Sequence, residues 1–149
     1  MDGTILAIVG AVLAAGLTGI GSTIGVTTAS QAAAGVISED PEKFGKTMLL
    51  QLFPSSQALY GFVIAFLVVL PIITDGVAYT LDQGLMLMLY CLPIAIVGMV
   101  TSIFQGKVAV ATINMVGKKP ELAGKAATMI IFSELFALIA LIVSVLGVL

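Results

Sequence analysis

The chain has 149 residues, of which 60% are apolar and 9% are charged, and its formal net charge is −2. A soluble domain of this length has too little interior to bury so much apolar surface, so the composition predicts an integral membrane protein with almost no extramembrane domain. The absence of His and the single Cys91 exclude a His/Cys metal cluster, an intrachain disulfide and a His-dependent triad. We expect Cys91 to pack as a small apolar residue.

Four apolar segments follow one another, each long enough to cross a bilayer core of ~30 Å as a helix. They comprise residues 5–37, 48–73, 85–116 and 126–149. Pro41 and Pro120 predict that the first and third segments end just before them, and residues 74–82 are expected to form the middle turn. We therefore predict an all-α membrane protein with four transmembrane helices. Its first segment is a retained helix, because its apolar run is far longer than the core of a signal peptide.

The lysines predict the orientation of these helices. Near the first and third breaks lie Lys43, Lys46, Lys118, Lys119 and Lys125, whereas the N-terminus and the middle turn carry acids. The positive-inside rule then places the loops between the first and second and between the third and fourth helices in the cytoplasm, with both termini on the opposite side of the cell membrane. We expect Lys107, inside the third segment, to extend towards the same cytoplasmic face.

An internal repeat divides the chain into two halves. The pattern Pro-Glu-x-x-Gly-Lys begins at Pro41 and again at Pro120, 79 residues later, and Gly19 and Gly98 pair at the same offset. We interpret residues 1–75 and 76–149 as two tandem parallel-repeat hairpins that form one membrane domain. A parallel repeat favours stacking of hairpins around an axis along the membrane normal, as in a ring. The offset aligns Glu134 with Ser55, which leaves one carboxylate for two hairpins.

The first segment is rich in small residues. Gly21, Gly25, Ala29 and Ala33 recur at four-residue spacing, a pattern typical of a face where two membrane helices pack closely. The pattern is equally compatible with dimerisation of transmembrane helices and with packing inside a ring.

Polar side chains in three segments are predicted to meet at one depth. Glu134 lies eight residues into the fourth segment, where a charge costs roughly 2.5–3.5 kcal/mol, and an acid at such a position is by default an ion or proton site. In the second segment Phe53, Ser56, Gln57 and Tyr60 share one helical face. Pro54 should bend that helix and loosen nearby carbonyls. From the third segment, Gln105 reaches a similar depth.

A hydroxyl, two amides, a phenol and a carboxylate at one level favour a cation site. Hard cations prefer oxygen ligands, whereas a proton needs only a carboxyl and an acceptor, so the surplus of oxygens favours Na⁺ over H⁺. Two alternatives remain open: a protonated structural carboxyl, and a hydrogen-bond network that only holds helices together.

The sequence resembles the membrane rotor subunit, or proteolipid, of V-type and bacterial or archaeal A/V-type rotary ATPases, in particular the sodium-translocating branch. The resemblance covers essentially the whole chain. It is closest in the stretches PEKFG from Pro41, LQLFP from Leu50, QALYGF from Gln57, QGKVA from Gln105, and Ser133-Glu134. In that branch Thr stands where this chain has Ser56, which keeps the oxygen and loses a methyl group.

The resemblance implies an ion site and a set of partners. The ligands would be the Glu134 carboxylate, the Gln57 and Gln105 side chains, the Ser56 hydroxyl and the Phe53 main-chain carbonyl, with Tyr60 holding the carboxylate. Identical subunits would form a ring in the lipid bilayer, turned by a soluble ATP-hydrolysing motor, so that the chain is no enzyme by itself. A stator subunit would supply an arginine, which this chain lacks, and central-stalk subunits would contact the cytoplasmic loops. Neither a nucleic-acid partner nor an organic cofactor is expected.

Three other functions compete with a sodium rotor. The first is the same ring driven by protons, with the glutamines only orienting Glu134. The second is a four-helix secondary transporter or small channel, which would require a substrate cavity. The third is a structural scaffold, which leaves the cost of Glu134 unexplained.

Overall fold

A computed structural model describes residues 2–149, and the regular structure in this range is helical throughout. Four stretches of it are long and apolar enough to cross a membrane: Gly3–Glu39, Pro41–Thr74, Leu81–Lys118 and Pro120–Val148. Their α-helices are α1 (Gly3–Glu39), α2 (Phe44–Leu52), α3 (Ser56–Thr74), α4 (Leu81–Lys118) and α5 (Ala123–Val148). The prediction of an all-α protein with four membrane-spanning helices is confirmed.

The helices α1 and α4 end as the prolines after them predict. Pro41–Lys43 and Pro120–Leu122 form single 3-10 turns that begin 79 residues apart, the offset of the sequence repeat. In the first turn Lys43 lies 3.2 Å from the Asp40 carboxylate, and its ammonium also donates to the Gly117 carbonyl at 2.9 Å. The hydrogen bond from Lys43, helped by the Glu42 N–H, holds the pKa of Asp40 below its usual value. Lys43 thus joins the first loop to the last turn of α4.

The middle turn is shorter than expected and comprises residues 75–80. Gly76, with a φ of +64°, lets the chain turn away from α3. Thr80 and Gln83 then form a capping box, in which each side chain bonds the main-chain N–H of the other, and α4 begins at Leu81. Asp82 therefore belongs to α4 rather than to the turn.

The helices α1 and α4 run in the same direction and pack along their whole length. Small residues permit this approach: a Cβ added to Gly21 or Gly25 would collide with the backbone of α4, and one added to Gly106 would lie 2.5 Å from the Gly25 Cα. The contacts keep one register from end to end, pairing Gly3 with Gly84, Gly10 with Cys91, Gly25 with Gly106 and Val36 with Gly117. The small-residue face predicted on the first segment is therefore a packing face, and it is used within the chain.

Two apolar cores lie at opposite ends of the bundle. The core near the turns at Pro41 and Pro120 contains Leu50, Ile113 and Ile130, and the core near the termini contains Ile64 and Cys91. Cys91 packs there as a small apolar residue, as we expected. Between them lies a layer of buried polar side chains: Thr18, Ser22, Gln57, Ser102, Gln105 and Glu134. The fold thus places the predicted site between two apolar cores.

One expected side-chain direction is wrong. Lys107 does not extend towards the loops; its ammonium lies 4.8 Å from the centre of the Phe104 ring, one turn further from them. Side chains of a helix lean towards its N-terminus, and the aromatic face attracts the cation there.

Candidate functional site

The site is centred on Glu134, the middle residue of the span Pro120–Val148. Its side chain is only 8% exposed, and both carboxylate oxygens accept a hydrogen bond. The Tyr60 hydroxyl donates to Oε1 at 2.6 Å, and Nε2 of Gln105 donates to Oε2 at 2.7 Å. One donor comes from α3 and the other from α4, so the carboxylate joins three helices at mid-span.

Two glutamine amides extend this network into the interior. Gln57 and Gln105 are fully buried, and Nε2 of Gln57 donates to Oε1 of Gln105 at 2.9 Å. Nε2 of Gln105 also donates to the Ile130 main-chain carbonyl at 3.3 Å, which leaves both of its protons bonded. Each amide oxygen has two lone pairs, so it can accept one hydrogen bond and still offer a lone pair to the site.

The break at Pro54 brings main-chain oxygen to the same place. Residues Phe53–Ser55 form a 3-10 turn between α2 and α3, the local distortion that proline was expected to cause. The hydroxyl of Ser56 lies 2.9 Å from the Phe53 carbonyl oxygen and 3.3 Å from Oε1 of Gln57. A side-chain hydroxyl, a main-chain carbonyl and an amide oxygen therefore meet at the start of α3.

The structure thus brings together every residue predicted for the site. Glu134, Gln105, Gln57 and Ser56 form a continuous chain of hydrogen bonds, with the Phe53 carbonyl at one end and Tyr60 at the other. Within residues 2–149 no buried side-chain nitrogen or oxygen lacks a hydrogen-bond partner. Chemically, the cluster offers one carboxylate and several neutral oxygens, which suits a cation that loses its water on binding.

A lateral cavity of about 420 Å³ leads to Glu134 from the outside of the bundle. It is lined by Leu49, Leu52, Phe53, Ser55, Ser56, Leu59, Tyr60 and Glu134. Leu52 and Leu59 on its rim are exposed, so the opening lies on an apolar surface and not at a helix end. The cavity opens at the side of the bundle along α2 and α3, at the level of the middle of the span Pro120–Val148.

Sequence reasoning missed two groups that bind the cluster or the backbone next to it. Ser22 of α1 accepts a hydrogen bond from the Ala58 N–H at 3.1 Å, and the Ile130 carbonyl accepts from Gln105. Ser22 lay within the small-residue segment, where a serine is typical of close packing, and a main-chain carbonyl has no side-chain signature. Neither group was detectable by residue type and depth alone.

Comparison with known proteins gives the chain its family. The ATP synthase C-subunit family matches two stretches, residues 9–68 and 88–146, whose first residues lie 79 positions apart. The V-type sodium ATPase subunit K of Enterococcus hirae is 41% identical over 147 residues, which cover 99% of this chain and 92% of that protein. The A-type ATP synthase subunit K of Methanocaldococcus jannaschii is 34% identical over 146 residues, covering 98% of this chain and 63% of that one. The chain belongs to the ATP synthase C-subunit family.

Proposed function

We propose that this chain is a rotor-ring subunit of a V-type sodium-translocating ATPase and that each subunit transports one Na⁺ on the site around Glu134. The observation that carries the proposal is a buried mid-span carboxylate that is hydrogen-bonded, through Tyr60 and Gln105, into a cluster containing several neutral oxygens. Similarity over nearly the full length to a V-type sodium ATPase subunit K supports it. The chain itself does not hydrolyse ATP; a soluble motor supplies the energy.

In this proposal five residues bind the ion. Glu134 supplies the negative oxygen, and Gln57, Gln105, Ser56 and the Phe53 carbonyl supply neutral ones. Their existing contacts, at 2.7–3.3 Å from one to the next, support this role, because they place these groups in one continuous cluster. Tyr60 supports the site by holding Oε1 of Glu134, and Pro54 does so by keeping the Phe53 carbonyl in a 3-10 turn.

The charge of the site determines where the ion is loaded and released during the transport cycle. A loaded site is neutral overall and passes through lipid at low cost, whereas an empty carboxylate is expensive there. Loading and release therefore take place against a stator subunit, which approaches the lateral cavity and supplies an arginine that displaces the cation. Glu134 opens towards that cavity, which supports exchange from the side of the ring.

The scaffold that we propose has two tandem hairpins, residues 1–75 and 76–149. It is supported by the two family matches, by the helix ends at Glu39 and Lys118, and by the parallel packing of α1 on α4. Identical subunits form the ring, with α1 and α4 on its inner side. The loops at Pro41 and Pro120 are cytoplasmic and contact the central stalk, and both termini lie on the other side of the membrane.

A proton-translocating ring of the same fold is the second candidate. Its supporting observation is that Tyr60 and Gln105 alone already satisfy both oxygens of Glu134. It leaves Gln57, Ser56 and the Phe53 carbonyl without a role in transport, and for this reason sodium is the better candidate.

Carbodiimide labelling of Glu134 in membranes separates the two ions, because the reagent attacks only a protonated carboxyl. We expect millimolar or lower Na⁺ to block labelling at fixed pH and ionic strength, while K⁺ at the same concentration does not. Labelling that follows pH alone, with no effect of Na⁺, would mean that the ring translocates protons. Glu134→Gln rings serve as the unlabelled control.

The same variant tests transport itself. In reconstituted vesicles that contain the complete ATPase, Glu134→Gln should abolish ATP-driven ²²Na⁺ uptake, since the amide cannot neutralise the cation. Uptake that persists in this variant contradicts the mechanism.

A further inference from the structure

Ser22 makes a contact to the site segment from a helix that supplies no ion ligand. It lies on α1, is only 4% exposed, and its Oγ accepts a hydrogen bond from the Ala58 N–H at 3.1 Å. Ala58 lies in the first turn of α3, directly after Gln57 and two residues after Ser56. A hydroxyl of α1 therefore binds the backbone of the segment that presents two proposed ligands.

The first turn of a helix needs such an acceptor. The first N–H groups of a helix generally lack an intrahelical carbonyl to bind, and a side-chain oxygen usually serves as the acceptor. At the start of α3 the preceding 3-10 turn provides the Phe53 carbonyl to the Ser56 N–H, whereas the Ala58 N–H binds Ser22. Ser55, at the position before α3, makes no capping bond, and its hydroxyl donates instead to the Leu52 carbonyl at 2.6 Å. Ser22 takes the place of the missing cap from a neighbouring helix.

The 3-10 turn at Pro54 packs against the same part of α1. Gly25, one turn after Ser22, faces Pro54 so closely that an added Cβ would lie 2.8 Å from the Pro54 Cβ. Gly25 also packs against Gly106, the neighbour of Gln105. Ser22 and Gly25 thus hold the start of α3 in a fixed register with the part of α4 that presents Gln105.

We propose that Ser22 is a positioning residue of the ion site: its hydroxyl holds residues 53–58 so that Ser56, Gln57 and the Phe53 carbonyl face Gln105 and Glu134. The inference rests on the proposed function, because it assigns Ser22 a role in ion affinity. Ser22 does not touch the ion; it acts through the Ala58 N–H.

The chain contains a matched control for this bond. Ser144 of α5 is also fully buried, and its Oγ accepts the Ile94 N–H at 3.2 Å, directly after Pro93. It is the same type of bond, between a serine and a main-chain N–H beside a proline, but Ile94 lies 11 residues from Gln105, or ~16 Å along α4. Ser144→Ala measures what losing such a bond does to the bundle away from the site.

The experiment measures the Na⁺ concentration that half-protects Glu134 from carbodiimide in assembled rings. We expect Ser22→Ala to raise it about three- to tenfold, as loss of one buried hydrogen bond does, and Ser144→Ala to leave it unchanged. Ser22→Thr and Ser22→Val introduce side chains of the same shape, of which only threonine has a hydroxyl. Ser22 lines a cavity of about 430 Å³ that has room for the added methyl groups, so Thr should retain the wild-type value and Val should not.

Each result decides the inference. A wild-type value for Ser22→Ala, or equal shifts for Ser22→Thr and Ser22→Val, overturns it. If the Ala ring fails to assemble, Ser22→Cys decides in its place, because the thiol keeps the shape of the side chain and is a weaker acceptor. A raised half-protecting Na⁺ concentration then supports the inference, and a wild-type value overturns it. If Na⁺ protects no ring, including the wild type, the sodium function fails separately. The pH at half-maximal labelling of Glu134 then becomes the measurement. A change of this pH in Ser22→Ala but not in Ser144→Ala supports a positioning role for Ser22, and any other result overturns it.

Discussion

At the scale of single residues, the two donors to Glu134 have different chemical capacities. Tyr60 offers Oε1 one hydroxyl proton at 2.6 Å, and its ring is half-buried at the edge of the lateral cavity. Gln105 donates a hydrogen bond from Nε2 to Oε2 of Glu134 at 2.7 Å, and its amide oxygen also lies inside the cluster. In our proposal Tyr60 therefore holds the carboxylate in place, whereas Gln105 both holds it and binds the ion.

This difference predicts unequal effects of two substitutions. Tyr60→Phe removes one hydrogen bond and should raise the half-protecting Na⁺ concentration about three- to tenfold. Gln105→Leu removes a ligand, a donor to Glu134 and the acceptor for Gln57, so its shift should exceed about tenfold. Carbodiimide protection in assembled rings measures both.

The control for this pair is Tyr90→Phe, which removes a phenol hydroxyl from a ring that packs against Gly147, far from Glu134. It should leave Na⁺ protection at the wild-type level. A larger shift for Tyr60→Phe than for Gln105→Leu would contradict the assigned roles and make the phenol oxygen the stronger ligand.

At this scale the sequence predicted which residues form the site better than it predicted the contacts between them. Glu134, Gln57 and Gln105 were found because polar groups are expensive in a membrane and these three lie at one depth. The hydrogen bond that Ser22 accepts could not be found, because its donor is a main-chain N–H 36 residues away that any residue except proline would offer at position 58. The Ile130 carbonyl, which accepts from Gln105, is undetectable for the same reason.

At the scale of helices, close packing of α1 on α4 sets the geometry of the bundle. Near the termini, a Cβ on Gly10 would lie 2.7 Å from the Met88 Cα, which belongs to backbone and cannot rotate away. Gly35, on the same helix, has no atom within 4 Å of such a Cβ. The two glycines thus allow packing to be tested separately from the ion site.

We expect Gly10→Ala to destabilise the bundle by about 1–3 kcal/mol, because α1 must move away from α4. In detergent its rings should dissociate at a lower temperature than the wild type, while Na⁺ protection of Glu134 stays unchanged, since Gly10 lies 12 residues, or ~18 Å, from Ser22. Gly35→Ala should dissociate at the wild-type temperature or slightly above it, because alanine favours helix. Identical behaviour of the two variants would show that close approach of α1 and α4 does not limit stability.

The sequence predicted the helix ends where the signal is steric and erred where competing signals overlap. Pro41 and Pro120 end α1 and α4 because the residue before a proline is driven out of helical conformation. At the start of α4, the capping box of Thr80 and Gln83 outweighs the turn-favouring Asp82, which therefore lies in the first helical turn. Lys107 follows the lean of helical side chains towards Phe104 instead of the shortest path to the loops.

At the scale of the whole molecule, the two hairpins that we propose share a scaffold, but only the second has the mid-span carboxylate. At the repeat offset, Ser55 corresponds to Glu134 and Val26 to Gln105, and both line a cavity of about 430 Å³ beside α1. In our proposal the chain therefore moves one ion for every four spans. For a ring of given circumference this lowers the ions moved per turn, and at ~2.3 kcal/mol per ion against 100 mV it favours steep gradients over high ion numbers.

The orientation of this molecule in the membrane is tested by single cysteines. Glu121 lies in the exposed turn after α4, and Asp82 lies in the exposed first turn of α4, at the other end of the bundle. In vesicles of known orientation, we expect a membrane-impermeant maleimide to label Glu121→Cys only from the cytoplasmic face and Asp82→Cys only from the opposite face. The native Cys91 is fully buried and should give little background, and Cys91→Ala removes what remains.

The two sites lie at opposite ends of α4, whose 38 residues extend ~57 Å, well beyond a hydrocarbon core of ~30 Å. Labelling of both cysteines from one face would therefore contradict a membrane-spanning α4. The reverse pattern would keep the four spans but place the lysine-rich loops outside the cell. A cytoplasmic ATP-hydrolysing motor could then not contact the ring at those loops. The central stalk would have to bind the other end of the bundle, which contains Asp2, Asp75 and Asp82. Because the lysines predict orientation independently of the ion site, this result would leave the assignment of Glu134 intact.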